Sequence, residues 1–152
     1  MSIREFNKQD FENLYSFMKP IWYETYNFLP KKQVEILLDK YFSKENVEKF
    51  VSLGYRYFKV SEVGVLVFVE HADEIFIDKL YFPKSERGKG YAKECFDFLE
   101  RAKKDLILVV NRKNDRAVKC YLKNGFIIEK ETETEVGKGL INCDYFMRKT
   151  VD

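Results

Sequence analysis

The residues best suited to chemistry begin with Arg87-Gly88-Lys89-Gly90-Tyr91-Ala92, halfway along the chain, between a predicted strand and a predicted helix. Glycines at a helix start let a ligand approach the backbone closely, and the first-turn N–H groups have no acceptor within the helix. Together with the helix dipole, these groups suit an anion such as a pyrophosphate. Further positive charge comes from Lys84, Arg87, Lys89 and Lys93. Taken alone, the segment is equally compatible with a purely structural turn.

Two well-known phosphate-binding motifs do not fit this segment. A Walker loop ends in Gly-Lys-Ser/Thr on a longer glycine-bearing loop, which Lys89-Gly90-Tyr91 does not supply. A dinucleotide-binding fold carries its glycines early, after a parallel first strand, and has a third glycine. Here the glycines follow a predicted β-hairpin, so both alternatives are set aside.

A second group of residues lies on the next predicted helix, from Asn114 to Phe126. Asn114 occupies an N-cap position, Tyr121 follows seven residues later, and Gly125-Phe126 ends the helix. Helical spacing places Asn114, Ala117 and Tyr121 on one side of this helix. That side lies near the end of the apolar run Leu106 to Val110, which predicts a buried strand.

With both segments in view, the sequence resembles the GNAT acetyltransferases. The family's first signature, Arg/Gln-x-x-Gly-x-Gly/Ala after a Leu-Tyr-Val type of strand, matches Leu80-Tyr81-Phe82 followed by residues 87–92. Its second signature, Asn-x-x-Ala-x-x-x-Tyr with Gly-Phe beyond, matches Asn114, Ala117, Tyr121, Gly125 and Phe126. Two independent motifs at the family's spacing are a specific signal, whereas the N-terminal third matches only in its pattern of elements.

The resemblance implies an α/β fold: one domain over residues 1–152, with a mixed, mostly antiparallel central sheet flanked by helices. It also implies that the strand ending at Phe82 splays from the next parallel strand, with acetyl-CoA in the gap. Main-chain groups would bind the thioester and pantetheine at Leu80, Tyr81 and Phe82, and the pyrophosphate at Arg87, Gly88, Lys89, Gly90, Tyr91 and Ala92. Asn114, Ala117 and Tyr121 would complete the cofactor side.

Tyr121 is the candidate general acid by the same resemblance. A phenol can protonate the departing CoA thiolate at modest cost, because its ordinary pKa of about 10 is not far above that of the thiol. An aromatic residue at helical spacing would otherwise be assigned to the core. No cysteine is placed with a base, so the sequence predicts direct transfer without an acetyl-enzyme intermediate.

The general base is less obvious, because many members of the family carry a glutamate where this chain has Phe76. The period of two along a strand predicts that Glu74, Asp78, Leu80 and Phe82 face the same side as Phe76. Asp78 is therefore the first candidate and Glu74 the second. Each is also compatible with a solvated or ion-paired carboxylate that takes no part in the reaction.

Hydrophobic periodicity predicts the elements that position these residues. The N-terminal part is predicted to form a strand at 2–6 and helices from Asp10 to about Tyr26 (broken by Pro20), from Pro30, and over 45–53. The remainder is predicted to form a hairpin (55–60 and 63–69), a strand (74–82), a helix (88–103), a strand (106–110), a helix (115–124), and strands at 126–134 and 140–149.

Bulk properties narrow the function further. The net charge of the 152 residues is +2, which does not support binding to nucleic acid, and no run approaches the roughly 18 apolar residues of a membrane span. One histidine and three scattered cysteines, Cys95, Cys120 and Cys143, provide no metal-ligand set. Scattered cysteines without pairing are typical of a cytoplasmic protein with reduced thiols.

The sequence therefore predicts an acetyl-CoA-dependent N-acetyltransferase that moves an acetyl group directly to a primary amine of a small molecule or peptide. The alternative is a non-catalytic acyl-CoA-binding regulatory module, which the missing glutamate at Phe76 would favour. The acceptor is left open among polyamines, amino acids, antibiotic amines and protein N-termini. A homodimer formed through the last β-hairpin is also left open.

Overall fold

The computed structural model describes residues 2–152, so Met1, which the domain prediction included, lies outside the described residues. Seven strands form one sheet in the order β1-β2-β3-β4-β5-β7-β6. Neighbouring strands are antiparallel except for β4 and β5, which run parallel. The strands are β1 (Ile3–Glu5), β2 (Arg56–Val60), β3 (Gly64–Glu70), β4 (Glu74–Tyr81), β5 (Asp105–Asn111), β6 (Ile127–Gly137) and β7 (Leu140–Lys149). The predicted mixed, mostly antiparallel sheet is confirmed.

Helices cover both faces of this sheet and create two cores. They are α1 (Lys8–Thr25), α2 (Lys31–Phe42), α3 (Lys44–Ser52), α4 (Tyr91–Glu100) and α5 (Asp115–Lys123), with a short 3-10 helix at Lys84–Glu86. The core on the α1/α2 face contains residues such as Met18, Leu38 and Val67. The core on the α4/α5 face contains residues such as Phe96, Leu106 and Phe126. No helix within residues 2–152 is long and apolar enough to cross a membrane.

Local sequence signals account for most helix ends. Asn7 accepts from the Asp10 backbone N–H while the Asp10 side chain accepts from the Asn7 N–H, a capping box that starts α1. Ser43 caps α3 with a single bond, in which its hydroxyl oxygen accepts from the Asn46 backbone N–H. The predicted break at Pro20 is wrong, since α1 runs through it. Packing of the apolar face of α1 against the sheet offsets the hydrogen bond that proline cannot make.

The parallel pair β4 and β5 separates halfway along its length. Their pairing runs from Glu74 opposite Asp105 to Ile77 opposite Leu108 and then stops, although both strands continue. The ends of β4 and β5 therefore diverge and leave a gap in the sheet. This is the splayed strand pair that the family resemblance implied, and the structure confirms it.

A β-bulge at Asp78 changes which side chains of β4 share a face. Lys79 lies opposite Val67 and Ile77 opposite Phe68, so Asp78 is an extra residue in the ladder. Ile77 and Leu80 consequently both point into the α4/α5 core, although strict alternation would separate them. The predicted shared face is wrong beyond the bulge: Leu80 and Phe82 point to the face opposite Phe76.

The segment before α4 is longer than the sequence predicted. Gly88 and Gly90 have φ of 76° and 85°, a left-handed conformation that favours glycine. Regular helix therefore begins at Tyr91, with Gly90 as its N-cap, and not at Gly88.

On β5, Val109 is 41% exposed, so the strand is open on one face near the gap and not buried on both faces as predicted.

Candidate active site

A cavity of about 570 Å³ fills the gap between the diverging ends of β4 and β5. The start of α4 and one face of α5 form its other walls. Twelve of the residues predicted from the sequence line it: Asp78, Leu80, Tyr81, Phe82, Arg87, Gly88, Gly90, Tyr91, Ala92, Asn114, Ala117 and Tyr121. Lys89 and Glu74 do not line this cavity. The structure thus brings both sequence motifs to one site.

The turn into α4 has the properties of an anion cradle. In the part of the chain that the structure describes, no acceptor is found for the backbone N–H groups of residues 88–93. The first hydrogen bond of the helix is donated by Glu94 to the Gly90 carbonyl. A Cβ built at Gly88 or Gly90 would meet no protein atom within 4 Å. The space beside these glycines is therefore open to a ligand, and unpaired donors point toward it.

Basic side chains surround the cradle, and three of them were not assigned to the site from the sequence. Arg116, Lys119 and Lys123 line the cavity from α5, facing Lys93 on α4. Burial lowers the pKa of Arg87, and the nearby Arg116 cation lowers it further. A bound phosphate between two such cations would relieve their repulsion. Positions 116, 119 and 123 fall at helical spacing on the Tyr121 helix, so this signal was present in the sequence.

Arg87 also connects the loop after β4 to the end of α1 through hydrogen bonds. Its guanidinium donates from Nη2 to Thr25 Oγ1 at 2.7 Å and from Nε to the Phe82 carbonyl at 3.3 Å. The Lys84 backbone N–H donates to a carboxylate oxygen of Glu24. These bonds tie the end of α1 to the loop after β4, so the first helix is positioned over the cavity mouth.

We expect Gly90→Ala to weaken acetyl-CoA binding by about tenfold, because a methyl group would enter the cradle where a phosphate must approach. The protein should remain folded, since the new Cβ meets no protein atom. Gly139→Ala is the matched control: Gly139 has a similar φ of 78° and open surroundings, but lies in the β6–β7 turn outside the cavity. Calorimetric titration compares the two variants, and equal affinities would contradict a cofactor site at Gly90.

Helix α5 presents Asn114, Ala117 and Tyr121 to the cavity, as its spacing predicted. Asn114 Oδ1 accepts from the Ala117 backbone N–H at 3.3 Å, which caps the helix and fixes its start. Tyr121 is clamped between the rings of Phe96 and Phe126, with ring centroids 6.0 Å and 5.7 Å away. These contacts hold the phenol in one orientation toward the cavity.

The Tyr121 hydroxyl is chemically available. Among residues 2–152 it forms no side-chain hydrogen bond, and the phenol–phenol bond at the cavity joins Tyr26 and Tyr81 instead. Burial raises the pKa of Tyr121 above its ordinary value, and the neighbouring Tyr26 phenol raises it further. The side chain therefore stays protonated at neutral pH, which a proton donor requires.

A second wall of the cavity is aromatic and belongs to the α1/α2 face. Tyr26, just after α1, lines the cavity, and its hydroxyl is hydrogen-bonded to that of Tyr81. Trp22 packs behind both rings, with centroids 4.9 Å from Tyr26 and 5.4 Å from Tyr81. Burial raises the pKa of Tyr81 and of Tyr26. This neutral, partly apolar wall is suited to cover an acceptor substrate.

The two candidate bases end up in different places. Asp78 lines the cavity and forms an ion pair with Lys79. Glu74 is four residues earlier on β4, about 13 Å away at strand rise. There it pairs with Arg148 at 2.9 Å, in a network that also includes Asp105 and Glu129. Glu74 is therefore an ion-paired carboxylate at the other end of β4, and of the two candidates only Asp78 lines the cavity.

A comparison of the sequence with models of known protein families finds a match: the profile of the acetyltransferase (GNAT) family matches residues 11–126. The chain belongs to the GNAT acetyltransferase family. Its enzyme class is accordingly that of an acyltransferase. No curated protein sequence matches the chain. Within residues 2–152, this GNAT acetyltransferase contains no group of three or more side chains that could hold a metal ion.

Solved structures with the same fold are numerous, at low sequence identity. The PaiA N-acetyltransferase from Thermoplasma acidophilum, in complex with coenzyme A, has a TM-score of 0.74 at 20% identity, over 98% of each chain. Spermidine N-acetyltransferase from Vibrio cholerae, in complex with CoA and spermine, has a TM-score of 0.67 at 16% identity, over 97% of this chain and 93% of that one. NAA60 from Arabidopsis thaliana, in complex with a bisubstrate analogue, has a TM-score of 0.73 at 13% identity, over 99% of each.

Proposed function

We propose that this GNAT acetyltransferase transfers the acetyl group of acetyl-CoA directly to a primary amine of a small molecule or peptide. The observation that carries the proposal is the arrangement of the gap between β4 and β5. Tyr121 reaches the gap from the α5 face, and Asp78 reaches it at the bulge, from the α1/α2 face. A proton donor and a proton acceptor therefore stand on opposite faces of the sheet, as required when a nucleophile enters on one side and a leaving group departs on the other.

The same gap provides a binding mode for the donor substrate. Beyond Ile77, the edge of β4 that faces β5 is unpaired, so backbone groups near Leu80 to Phe82 are free to bond an extended chain such as pantetheine. The N–H groups of residues 88–93 suit the pyrophosphate, with the α5 cations around it. The cavity thus offers backbone groups to a neutral, extended arm, and N–H groups with nearby cations to an anionic group of the same long molecule.

The transfer itself needs one base and one acid. The neutral amine attacks the thioester carbonyl carbon, forming a C–N bond, and the C–S bond breaks. Asp78 accepts the proton that the nitrogen loses, directly or through water, and Tyr121 donates a proton to the departing thiolate. Backbone N–H groups of the unpaired β4 edge stabilise the negative oxygen of the intermediate. Asp78 then releases its proton to solvent and the Tyr121 phenolate takes one up, which restores the starting state of the enzyme.

An amine acceptor is supported by the aromatic wall and by a relative of the same fold. Tyr26 and Tyr81, supported from behind by Trp22, offer ring faces and edges that suit an alkylammonium group or an apolar substrate body. A protein of this fold holds spermine together with CoA. The acceptor class, a cytoplasmic location, the absence of nucleic-acid or membrane partners and a homodimer all remain predictions from the sequence.

Turnover with acetyl-CoA and a panel of amines tests this function, with free thiol release as the readout. The panel should include a polyamine, an amino acid, an aminoglycoside and a peptide with a free N-terminus. We expect at least one acceptor to raise thiol release well above hydrolysis without an acceptor. Tight binding of acetyl-CoA with no amine-dependent release across the panel would instead favour the acyl-CoA-binding regulatory module.

A further inference from the structure

A buried lysine stands directly beside the proposed base. The Lys79 side chain is 2% exposed and forms an ion pair with the Asp78 carboxylate, which is 15% exposed. Its ammonium nitrogen lies 4.1 Å, 5.5 Å and 5.3 Å from the ring centroids of Tyr41, Phe42 and Phe50. These three rings, from α2 and α3, form an aromatic box around the ammonium group.

The bulge is what allows this ion pair to exist. In a regular strand, neighbouring side chains point to opposite faces, so residues i and i+1 do not meet. The extra residue at Asp78 puts it and Lys79 on the same α1/α2 face. The irregularity that opens β4 toward the cavity therefore also brings a cation to the carboxylate.

Two kinds of neighbour counteract the cost of burying the charge of Lys79. Burial lowers the pKa of Lys79, and the Asp78 carboxylate opposes that shift. Aromatic ring faces stabilise an ammonium ion but give little to a neutral amine. A buried charge with these partners is compensated, whereas a lysine needed only for packing could be replaced by an apolar residue without loss.

We propose that Lys79 is a positioning residue, which places a positive charge beside the Asp78 carboxylate and holds that carboxylate directed into the cavity as the proton acceptor for the amine. The aromatic box anchors the ammonium group, and the ammonium group fixes the carboxylate. The inference rests on the proposed function, because it assigns a role to the lysine that pairs with Asp78, the base of that function. It would explain how this chain works with phenylalanine at position 76.

The other charged and titratable groups around Asp78 do not replace Lys79. Five phenols feel its charge, and burial raises the pKa of each, that of Tyr41 to about 12, so they are neutral at neutral pH: Tyr26, Tyr41, Tyr55, Tyr57 and Tyr81. The Lys40 cation on α2 lowers the pKa of Lys79. The Asp144 carboxylate on β7 raises the pKa of Tyr26 and of Tyr41. Within the described residues, Lys79 is the cation in ion-pair contact with Asp78.

Lys79→Met provides the main test, because methionine keeps the length and apolar stem but removes the charge. Without its cation, the carboxylate is protonated more readily, so we expect the acidic limb of the kcat pH profile to move up by about one pH unit. On the sloping part of this limb, kcat of the variant should be about tenfold below that of wild type at the same pH, while the acetyl-CoA dissociation constant stays within about twofold. Two acceptors of different basicity separate this limb, which is common to both, from the limb of the amine itself.

Lys59→Met is the matched control. Lys59 is also partly buried, and its ammonium lies 3.5 Å from the Phe17 ring centroid, yet it does not line the main cavity. Its loss should leave the pH profile unchanged. If Lys79→Met does not fold, Phe50→Leu replaces it as the test, since it removes one ring of the aromatic box and keeps the ion pair. We expect the acidic limb of its kcat pH profile to move in the same direction by a smaller amount.

The possible outcomes distinguish a failure of the proposed function from a failure of the positioning role of Lys79. Wild-type protein that releases no thiol with any amine overturns the proposed function. Active wild-type protein whose Asp78→Asn variant is inactive, but whose Lys79→Met or Phe50→Leu pH profile matches wild type, overturns only the positioning role. A shift in the Lys59→Met control equal to that of Lys79→Met would also overturn it, because the effect would then be general.

Discussion

Tyr121→Phe is expected to lower kcat by about 10²–10⁴-fold, the usual contribution of a positioned general acid, with little change in acetyl-CoA affinity. Phenylalanine keeps the ring and its packing between Phe96 and Phe126, but it has no proton to give to the thiolate. The loss should shrink with an acyl donor whose leaving thiol is more acidic, because that thiolate depends less on protonation. Steady-state kinetics with two acyl donors, alongside calorimetric titration, measures both effects.

Tyr57→Phe is the control for this substitution. Its hydroxyl is also buried and unpartnered, but it belongs to the α1/α2 core and does not line the cavity. Removing that hydroxyl should leave kcat unchanged within about twofold. The acid role of Tyr121 is refuted if Tyr121→Phe also stays within twofold, or if its loss in rate is matched by an equal loss of cofactor affinity.

Asp78→Asn is expected to lower kcat/KM for the acceptor by about 10²-fold or more, because asparagine keeps the shape of the side chain but cannot accept the proton of the amine. An alkyl amine with a pKa near 10 is mostly protonated at pH 7 and therefore depends on the base. A less basic acceptor is already neutral in larger part. We expect the defect to be smaller with that acceptor, and kinetics at pH 7 with both acceptors measures the difference.

Glu74→Gln provides the comparison on the same strand. Glu74 pairs with Arg148 outside the cavity, so its loss should change stability by only about 0–1 kcal/mol and turnover by less than about twofold. If Glu74→Gln were the inactive variant and Asp78→Asn the active one, the base would have to be reassigned. Thermal unfolding of both variants shows whether a loss of activity reflects a loss of fold.

The parts of the site that depend on local chemistry could be predicted from the sequence. The glycines at 88 and 90, the Asn114 cap and the spacing from Asn114 to Tyr121 follow from backbone conformations and helix periodicity within a few residues. These features bring the predicted cofactor segment and the predicted acid to one cavity. The family resemblance implied the splayed strand pair, which the structure confirms.

The acceptor side depended on contacts between distant segments, and the sequence could not define it. A single extra residue at Asp78 reverses the alternation of β4, and this register is decided only by pairing with β3. The aromatic box around Lys79 joins residues of α2, α3 and β4, and the Tyr26–Tyr81 bond joins residues 55 positions apart. Glu74 and Asp78 looked equivalent in the period-two pattern.

What the sequence by itself determined was the family, and it also predicted the cofactor segment and the proposed proton donor, because each of these depends on a motif of short range. Which carboxylate faces the cavity, and what holds it there, was decided only by the tertiary structure. Strand register, burial and ion pairing depend on which distant segments come together, and a one-residue shift in β4 exchanges its two faces. The base and its lysine are therefore properties of the folded sheet and not of any segment.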